Sequence, residues 1–259
     1  MIDIHNHILP GIDDGSDSPE KSIRMAKIAV DDGIRLIVAT PHCNNGVYQV
    51  SPGKIIEEVN RLNRLLQDKG IPLKVLPGAD IHIDFNLIEA IKTGKVMTVN
   101  NNQRYIMLEL PDYGVPQHLS DFLWEMNLNG ITPVFTHPER NTAIQDDINI
   151  LHGFIMQGAL SQITAMSLTG EFGKNPRKCA LSLLKYNLAH VIATDAHSVR
   201  RRPPVLSNAL KAAGEIVGDD YALRMVTEIP DGIIKGSRVS LPEPKSRKLC
   251  FFEKLLSRN

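Results

Sequence analysis

Ile2-Asp3-Ile4-His5-Asn6-His7 opens the chain with an apolar, β-forming run that ends in two histidines. Residues two apart on a strand share a face, so both imidazoles can reach one point at the end of that strand. Working outward, short apolar runs predict strands at residues 2–5, 35–39, 73–76, 105–110, 131–136, 160–165 and 190–194. Amphipathic stretches lie between them. Ser51 before Pro52 predicts an N-cap with proline at the first helical position. Ile55, Ile56, Val59, Leu62, Leu65 and Leu66 then follow at helical spacing as far as Gly70. Asp17, with Glu20 three residues on, predicts a capped helix running to about Val30. Strands alternating with helices predict an α/β fold with a parallel sheet, and one closed barrel houses the pattern in 259 residues. An open doubly wound sheet is the competitor, but no glycine fingerprint for phosphate follows the first strand.

Composition narrows the function classes. Lys+Arg and Asp+Glu both number 29, which argues against a dedicated nucleic-acid binder. No apolar run approaches the roughly 18 residues that span a bilayer. The start has no basic segment followed by an apolar one, so no secretory signal is expected. Cys43, Cys179 and Cys250 are far apart and odd in number, which fits a reducing, cytoplasmic compartment. Residues 240–259 hold five Lys/Arg against two Asp/Glu, and we expect them to form a tail set apart from a domain at 1–239.

The remaining ionisable clusters also fall at or just after strand ends: His42, Asp80, Glu109, His137, and Asp195 with His197. In a β/α barrel these ends open on one face, so scattered positions converge in space. A lone histidine is more often a packed or surface residue, and His118, His152 and His190 are read that way. Ionisable groups repeated at six strand ends are hard to explain as packing, because burying them unpaired is costly. Imidazole and carboxylate without thiolate suit Mn, Fe or Zn, and several carboxylates permit bridged sites. Cysteine phosphatase chemistry, the direct rival, needs an arginine six residues after the thiolate. Gln49, Lys185 and Leu256 stand there instead. No G-x-x-x-x-G-K-[ST] loop is present, which argues against an NTPase.

Residues 1–15, MIDIHNHILPGIDDG, resemble the opening of the polymerase-and-histidinol-phosphatase (PHP) superfamily. More closely, the chain resembles the bacterial metal-dependent tyrosine phosphatases of capsular and exopolysaccharide clusters, the CpsB/CapC family. The likeness continues through Thr40-Pro41-His42, Gly78-Ala79-Asp80, Leu108-Glu109, Thr136-His137-Pro138-Glu139-Arg140, Gly170-Glu171-Phe172-Gly173, Ala193-Thr194-Asp195-Ala196-His197 and Arg202-Pro203-Pro204, spanning about residues 1–236. It implies a distorted (β/α)7 TIM-like barrel, the PHP fold, with metals at the strand C-terminal face. His5 and His7 would bind one metal with Asp195 and a bridging Asp80. Glu109 and His137 would hold a second, sharing that bridge, and Asp14, His42 and His197 a third. Arg140 and Arg202 would face the phosphate. The family usually has Glu where this chain has Asp80, so a shorter bridge is expected, with His82 as a substitute ligand there and Asp13 as one for Asp14. Ile229-Pro230 stands where the family has Asn-Pro.

The resemblance implies hydrolysis of a phosphate monoester by metal-bound hydroxide, with two to three divalent ions, manganese first and iron or zinc as alternatives. The two guanidiniums would stabilise phosphoryl charge. Asp195, His197 or a metal-bound water would donate the proton, and sequence does not choose. The expected partner is the phosphotyrosine tail of a bacterial tyrosine kinase that regulates polysaccharide synthesis and export. A small-molecule phosphatase, such as one for histidinol phosphate, is the alternative; a catalytically impaired regulatory binding module is a lesser one. The tail mixes basic and aromatic residues. It reads first as a docked or frayed end, and second as a weak membrane-surface or kinase-docking segment. Oligomeric state stays open.

Overall fold

The computed structural model describes residues 1–43 and 46–247, and the tail from 248 to 259, with Cys250, lies outside the described residues. The fold is mixed α/β, and every strand pairing is parallel. The seven expected strands are all present, each boundary within one residue. They are β1 (Ile2–Asn6), β2 (Leu36–Ala39), β4 (Lys74–Pro77), β6 (Tyr105–Glu109), β7 (Thr132–Thr136), β8 (Leu160–Thr164) and β9 (Val191–Ala193). Two short strands were not expected: β3 (His42–Cys43) and β5 (Asp80–His82). Each follows the strand before it after a two-residue break, at Thr40-Pro41 and at Gly78-Ala79. Proline has no N–H to give a ladder, so β2 cannot run unbroken into β3.

The strands form two ladders, β1-β2-β4 and β3-β5-β6-β7-β8-β9. First and last strands also meet: a parallel bridge joins Asn6 to Ala196, with the Asp195 N–H donating to the His5 carbonyl at 2.8 Å. β6 is apolar on both faces and buries Ile106, Met107 and Leu108, as expected of a covered parallel strand. Phe135 of β7 is among the largest fully buried side chains.

Helices follow the strands and cover them. Pro52–Asp68 starts at Ser51, whose hydroxyl accepts the Lys54 N–H at 3.3 Å, as the Ser-Pro pair predicts. It buries Ile55, Val59, Leu62 and Leu66, one stripe at helical spacing. Ile56 departs from the expectation, with 40% of its surface exposed, because it stands about a quarter turn off that stripe. Truncating Leu62 to alanine would cost about 2–5 kcal/mol. The helix Pro19–Asp31 is capped one residue later than expected: Ser18, not Asp17, accepts the Lys21 N–H at 3.4 Å. Pro19 holds Ser18 in the extended conformation that an N-cap requires.

The start of the expected tail is tied to the fold. The Lys245 N–H donates to the Tyr186 carbonyl at 2.8 Å, and Asn149 brackets Arg247 with bonds to its N–H and carbonyl. No helix among the described residues is long and apolar enough to cross a membrane.

Candidate metal centre

His5 lies in β1 and His7 one residue beyond it, both buried, with their Nε2 atoms 3.2 Å apart. The other nitrogen of each ring is occupied. His5 Nδ1 lies 2.7 Å from Gln162 Oε1 on β8, and His7 Nδ1 lies 2.7 Å from Asp13 Oδ2. Partners of this kind fix ring orientation and tautomer, which turns both Nε2 atoms toward a shared point. Gly15 makes the turn behind His7 feasible, because a Cβ there would stand 2.2 Å from the His7 carbonyl oxygen.

The two adjacent aspartates divide their roles. Asp13 accepts from His7, from the His42 N–H at 3.2 Å and from the Gly15 N–H at 2.9 Å, so it orients neighbours and does not substitute for Asp14. Asp14 Oδ1 faces His197 Nε2 at 3.4 Å and His42 Nε2 at 3.7 Å.

Across the face, Asp80 Oδ1 accepts the Thr136 hydroxyl at 3.1 Å. Its Oδ2 stands between His5 Nε2 at 3.5 Å and His42 Nδ1 at 3.6 Å, so the shorter side chain reaches both. Glu109 ends β6 with Oε1 3.3 Å from His137 Nε2 and Oε2 3.6 Å from His42 Nδ1. His82 does not take a place among the grouped donors; it pairs with Glu109 Oε2 at 2.6 Å from the outer side. Asp195 Oδ1 lies 3.3 Å from His7 Nε2 and 3.5 Å from His5 Nε2. Its Oδ2 receives Arg140 at 2.6 Å and Arg202 at 2.5 Å. Asp195 and His137 both sit at positive φ, +50° and +34°, where a residue with a Cβ is strained. Such strain, held at two strand ends that carry ionisable groups, is typical of functional positions.

Electrostatics separate the donors into anions, neutral rings and rings that favour a proton. Burial works against the charge on Asp195, but Arg140, His5, His7 and Arg202 outweigh it and hold the carboxyl well below its usual range. Burial likewise opposes charge on Asp80 and Glu109, and the surrounding imidazoles pull both down. His197 holds Asp14 down. Burial, with His7 adding to it, lowers His42 and His197, leaving them as neutral ligand-type rings. Burial opposes a proton on His7, yet Asp13 and Asp195 carry that ring up to about 10.

The nine expected ligands, His5, His7, Asp14, His42, Asp80, Glu109, His137, Asp195 and His197, therefore meet in one place. They form four overlapping donor groups whose atoms lie within 4.8 Å of one another: His7-Asp14-His42-His197, His5-His7-Asp80, His5-His137-Asp195 and His42-Asp80-Glu109. Asp80 enters two groups, as a bridge would. The sharing is wider than expected, since His7 joins the Asp14 group and His137 joins Asp195. Divalent ions fit this set. Donors bound to one ion at roughly 2.0–2.2 Å stand roughly 3–3.5 Å apart, close to the separations here. His42 Nδ1 and Asp80 Oδ2 are buried, face each other at 3.6 Å and have no hydrogen-bond partner.

Gln162 is the orienting residue that sequence reasoning missed. Its signal was a polar amide inside the buried run Leu160–Thr164. Three histidines stand apart, as expected: His118 is exposed beside Asp121 at 3.4 Å, His152 is half-buried, and His190 is buried on the Ser161 N–H. Burial pushes the Cys43 and Cys179 thiols up to about 12, which suits packed residues and not nucleophiles.

Known proteins share this sequence and fold. The family described as "Capsular polysaccharide synthesis, CpsB/CapC" matches residues 1–235. The tyrosine-protein phosphatase YwqE of Bacillus subtilis (strain 168) is 38% identical over 253 residues, covering 97% of this chain and 99% of that one. The putative tyrosine-protein phosphatase CapC of Staphylococcus aureus is 40% identical over 248 residues, covering 96% and 94%. A solved structure from work on YwqE of Bacillus subtilis and CpsB of Streptococcus pneumoniae, described as unique metal-dependent tyrosine phosphatases, superposes with a TM-score of 0.92. Its identity is 38%, over 96% of this chain and 100% of that chain.

Proposed function

The chain belongs to the capsular polysaccharide synthesis family CpsB/CapC, and from that premise we propose that it is a metal-dependent tyrosine-protein phosphatase. The observation that carries the reading is the convergence of nine nitrogen and oxygen donors with two guanidiniums meeting at Asp195. A fold alone would not carry it, since one fold hosts many chemistries.

His5, His7, Asp14, His42, Asp80, Glu109, His137, Asp195 and His197 would hold two to three divalent ions. Manganese is our first choice, and iron and zinc suit the same donors. Bound there, such ions supply an acidified water and neutralise phosphoryl charge. Arg140 and Arg202 bind phosphoryl oxygens, a planar fork matched to an oxyanion. Asp195 holds both forks in place and stays a carboxylate, so it carries no proton to donate to the leaving group. His197 Nδ1 lies 2.9 Å from the Asp195 carbonyl, which fixes its ring and leaves Nε2 turned toward Asp14. Tyrosine leaves as a phenolate of pKa about 10, so it asks less of an acid than an alkoxide would.

The reading includes a distorted seven-unit barrel at 1–239, supported by the bridge from Asn6 of the first strand to Ala196 just beyond the last. It takes residues 240–259 as a tail that makes at most weak contact with a membrane surface. Its compartment is the cytoplasm, which the two buried free thiols support. Its substrate is the phosphotyrosine tail of a bacterial tyrosine kinase controlling polysaccharide export.

The test is hydrolysis of a phosphotyrosine peptide and of histidinol phosphate by metal-stripped protein, with Mn, Fe or Zn added back. Metal-restored turnover favouring the peptide is expected. Preference for histidinol phosphate would overturn the substrate, and no turnover of either with metals bound would overturn the enzyme reading.

A further inference from the structure

We propose that Phe172 is a positioning residue that sets the planes of Arg140 and Arg202 for the phosphoryl group; the inference rests on the phosphatase reading above. Strand order places these three residues side by side. Arg140 follows β7, Phe172 follows β8 and Arg202 follows β9, and these strands are neighbours in the sheet. Phe172 stands in the turn between the helices Ala165–Thr169 and Lys174–Lys185, entered through Gly170 at φ +99°. Its half-buried ring has the Arg140 Cζ 4.1 Å from the centroid and the Arg202 Cζ 5.6 Å from it.

Each guanidinium is thus held twice. One NH2 corner binds Asp195 Oδ2, and Arg140 also donates to the Thr164 hydroxyl at 2.9 Å. Each guanidinium carbon also stands over the Phe172 ring, Arg140 closer than Arg202. The Nε atoms of both arginines remain buried with no hydrogen-bond partner. A buried N–H left unpaired is costly, so two of them on arginines that share one carboxylate mark donors reserved for an acceptor that arrives later. Stacking on a ring fixes a guanidinium's plane without consuming its in-plane N–H groups. Phe172 therefore holds the arginines while leaving those edges free for phosphate oxygens. A residue of similar bulk without a π face could fill the space but not orient the cations.

The experiment uses manganese-loaded full-length protein and compares wild type with Phe172→Ala, Phe172→Leu and Phe172→Tyr. Calorimetric binding of inorganic phosphate is measured beside kcat and KM on a phosphotyrosine peptide. Phe172→Ala and Phe172→Leu should each weaken phosphate binding and kcat/KM by between about 2-fold and about 30-fold. Phe172→Tyr should restore both, with metal content and melting temperature unchanged in all three. Wild-type phosphate binding in Phe172→Ala or Phe172→Leu would overturn the proposal, as would loss of metal in all three variants. Wild-type protein that binds phosphate but leaves the peptide intact would sink the phosphatase reading and still allow the Phe172 comparison to be scored.

Discussion

A buried histidine lies beyond each end of β9, and the two differ in almost everything but burial. His190, just before the strand, uses Nδ1 to accept the Ser161 N–H at 3.0 Å, and burial pushes it down to about 4. His197, just after the strand, lies tilted against the His7 ring with centroids 3.8 Å apart and faces Asp14 and Asp195. One ring is accounted for by a backbone amide on the neighbouring strand. The other belongs to a set drawn from β1, β3, β5, β6, β7 and β9, in which donors face one another at 3.2 to 3.7 Å. Burial alone therefore does not mark a functional histidine. Company does: ionisable partners from distant strands, with some polar atoms left unpaired.

The contrast can be attacked from its strongest side first. Asp195→Asn removes the charge that His5, His7, Arg140 and Arg202 share, and kcat/KM should fall on the order of 10³-fold in a protein that stays folded. Near-normal turnover would break the idea that this end of β9 runs the chemistry. Arg140→Ala and Arg202→Ala should each cost on the order of 10²-fold in kcat with metal content preserved, since they serve phosphate and not the ions. An effect confined to metal content would reassign them.

Orienting residues come next. Asp13→Asn and Gln162→Ala should weaken metal binding by roughly 10- to 100-fold, read by titration of the stripped protein. Unchanged affinity in both would mean that His7 and His5 need no help.

The smallest effect belongs to the other end of the strand. The unfolded chain protonates His190 below its ordinary value of 6.5, whereas the folded protein does so only below about 4. Its neutral form thus contributes no pH penalty above 6.5, and stability drains away as pH falls from 6.5 to 4, by up to about 3 kcal/mol. His190→Gln, which can still accept the Ser161 N–H, should flatten that slope in denaturant titrations while leaving metal binding unchanged. A slope identical to wild type would show that His190 is not the group responsible.

Much of this arrangement is legible in the amino-acid sequence. Periodicity marked the seven main strands, because a buried parallel strand is a short apolar run with sharp ends. His5-Asn6-His7 announced the face on which the site forms. Two kinds of feature were not legible. β3 and β5 are two and three residues long, too short to leave a hydrophobic signature, and only the register of Asp80 against His42 reveals them. The division between Asp13 and Asp14 is equally silent in sequence, since it depends on which carboxylate the turn at Gly15 aims at His7. Gln162 and Phe172 likewise act through contacts that spacing does not encode.

The most direct measurement is a crystal structure of manganese-loaded protein with anomalous scattering recorded at the metal's absorption edge. The account predicts two to three peaks among His5, His7, Asp14, His42, Asp80, Glu109, His137, Asp195 and His197, and none beside His190. A loaded, active protein with its peaks elsewhere, or with none inside that set, would contradict it.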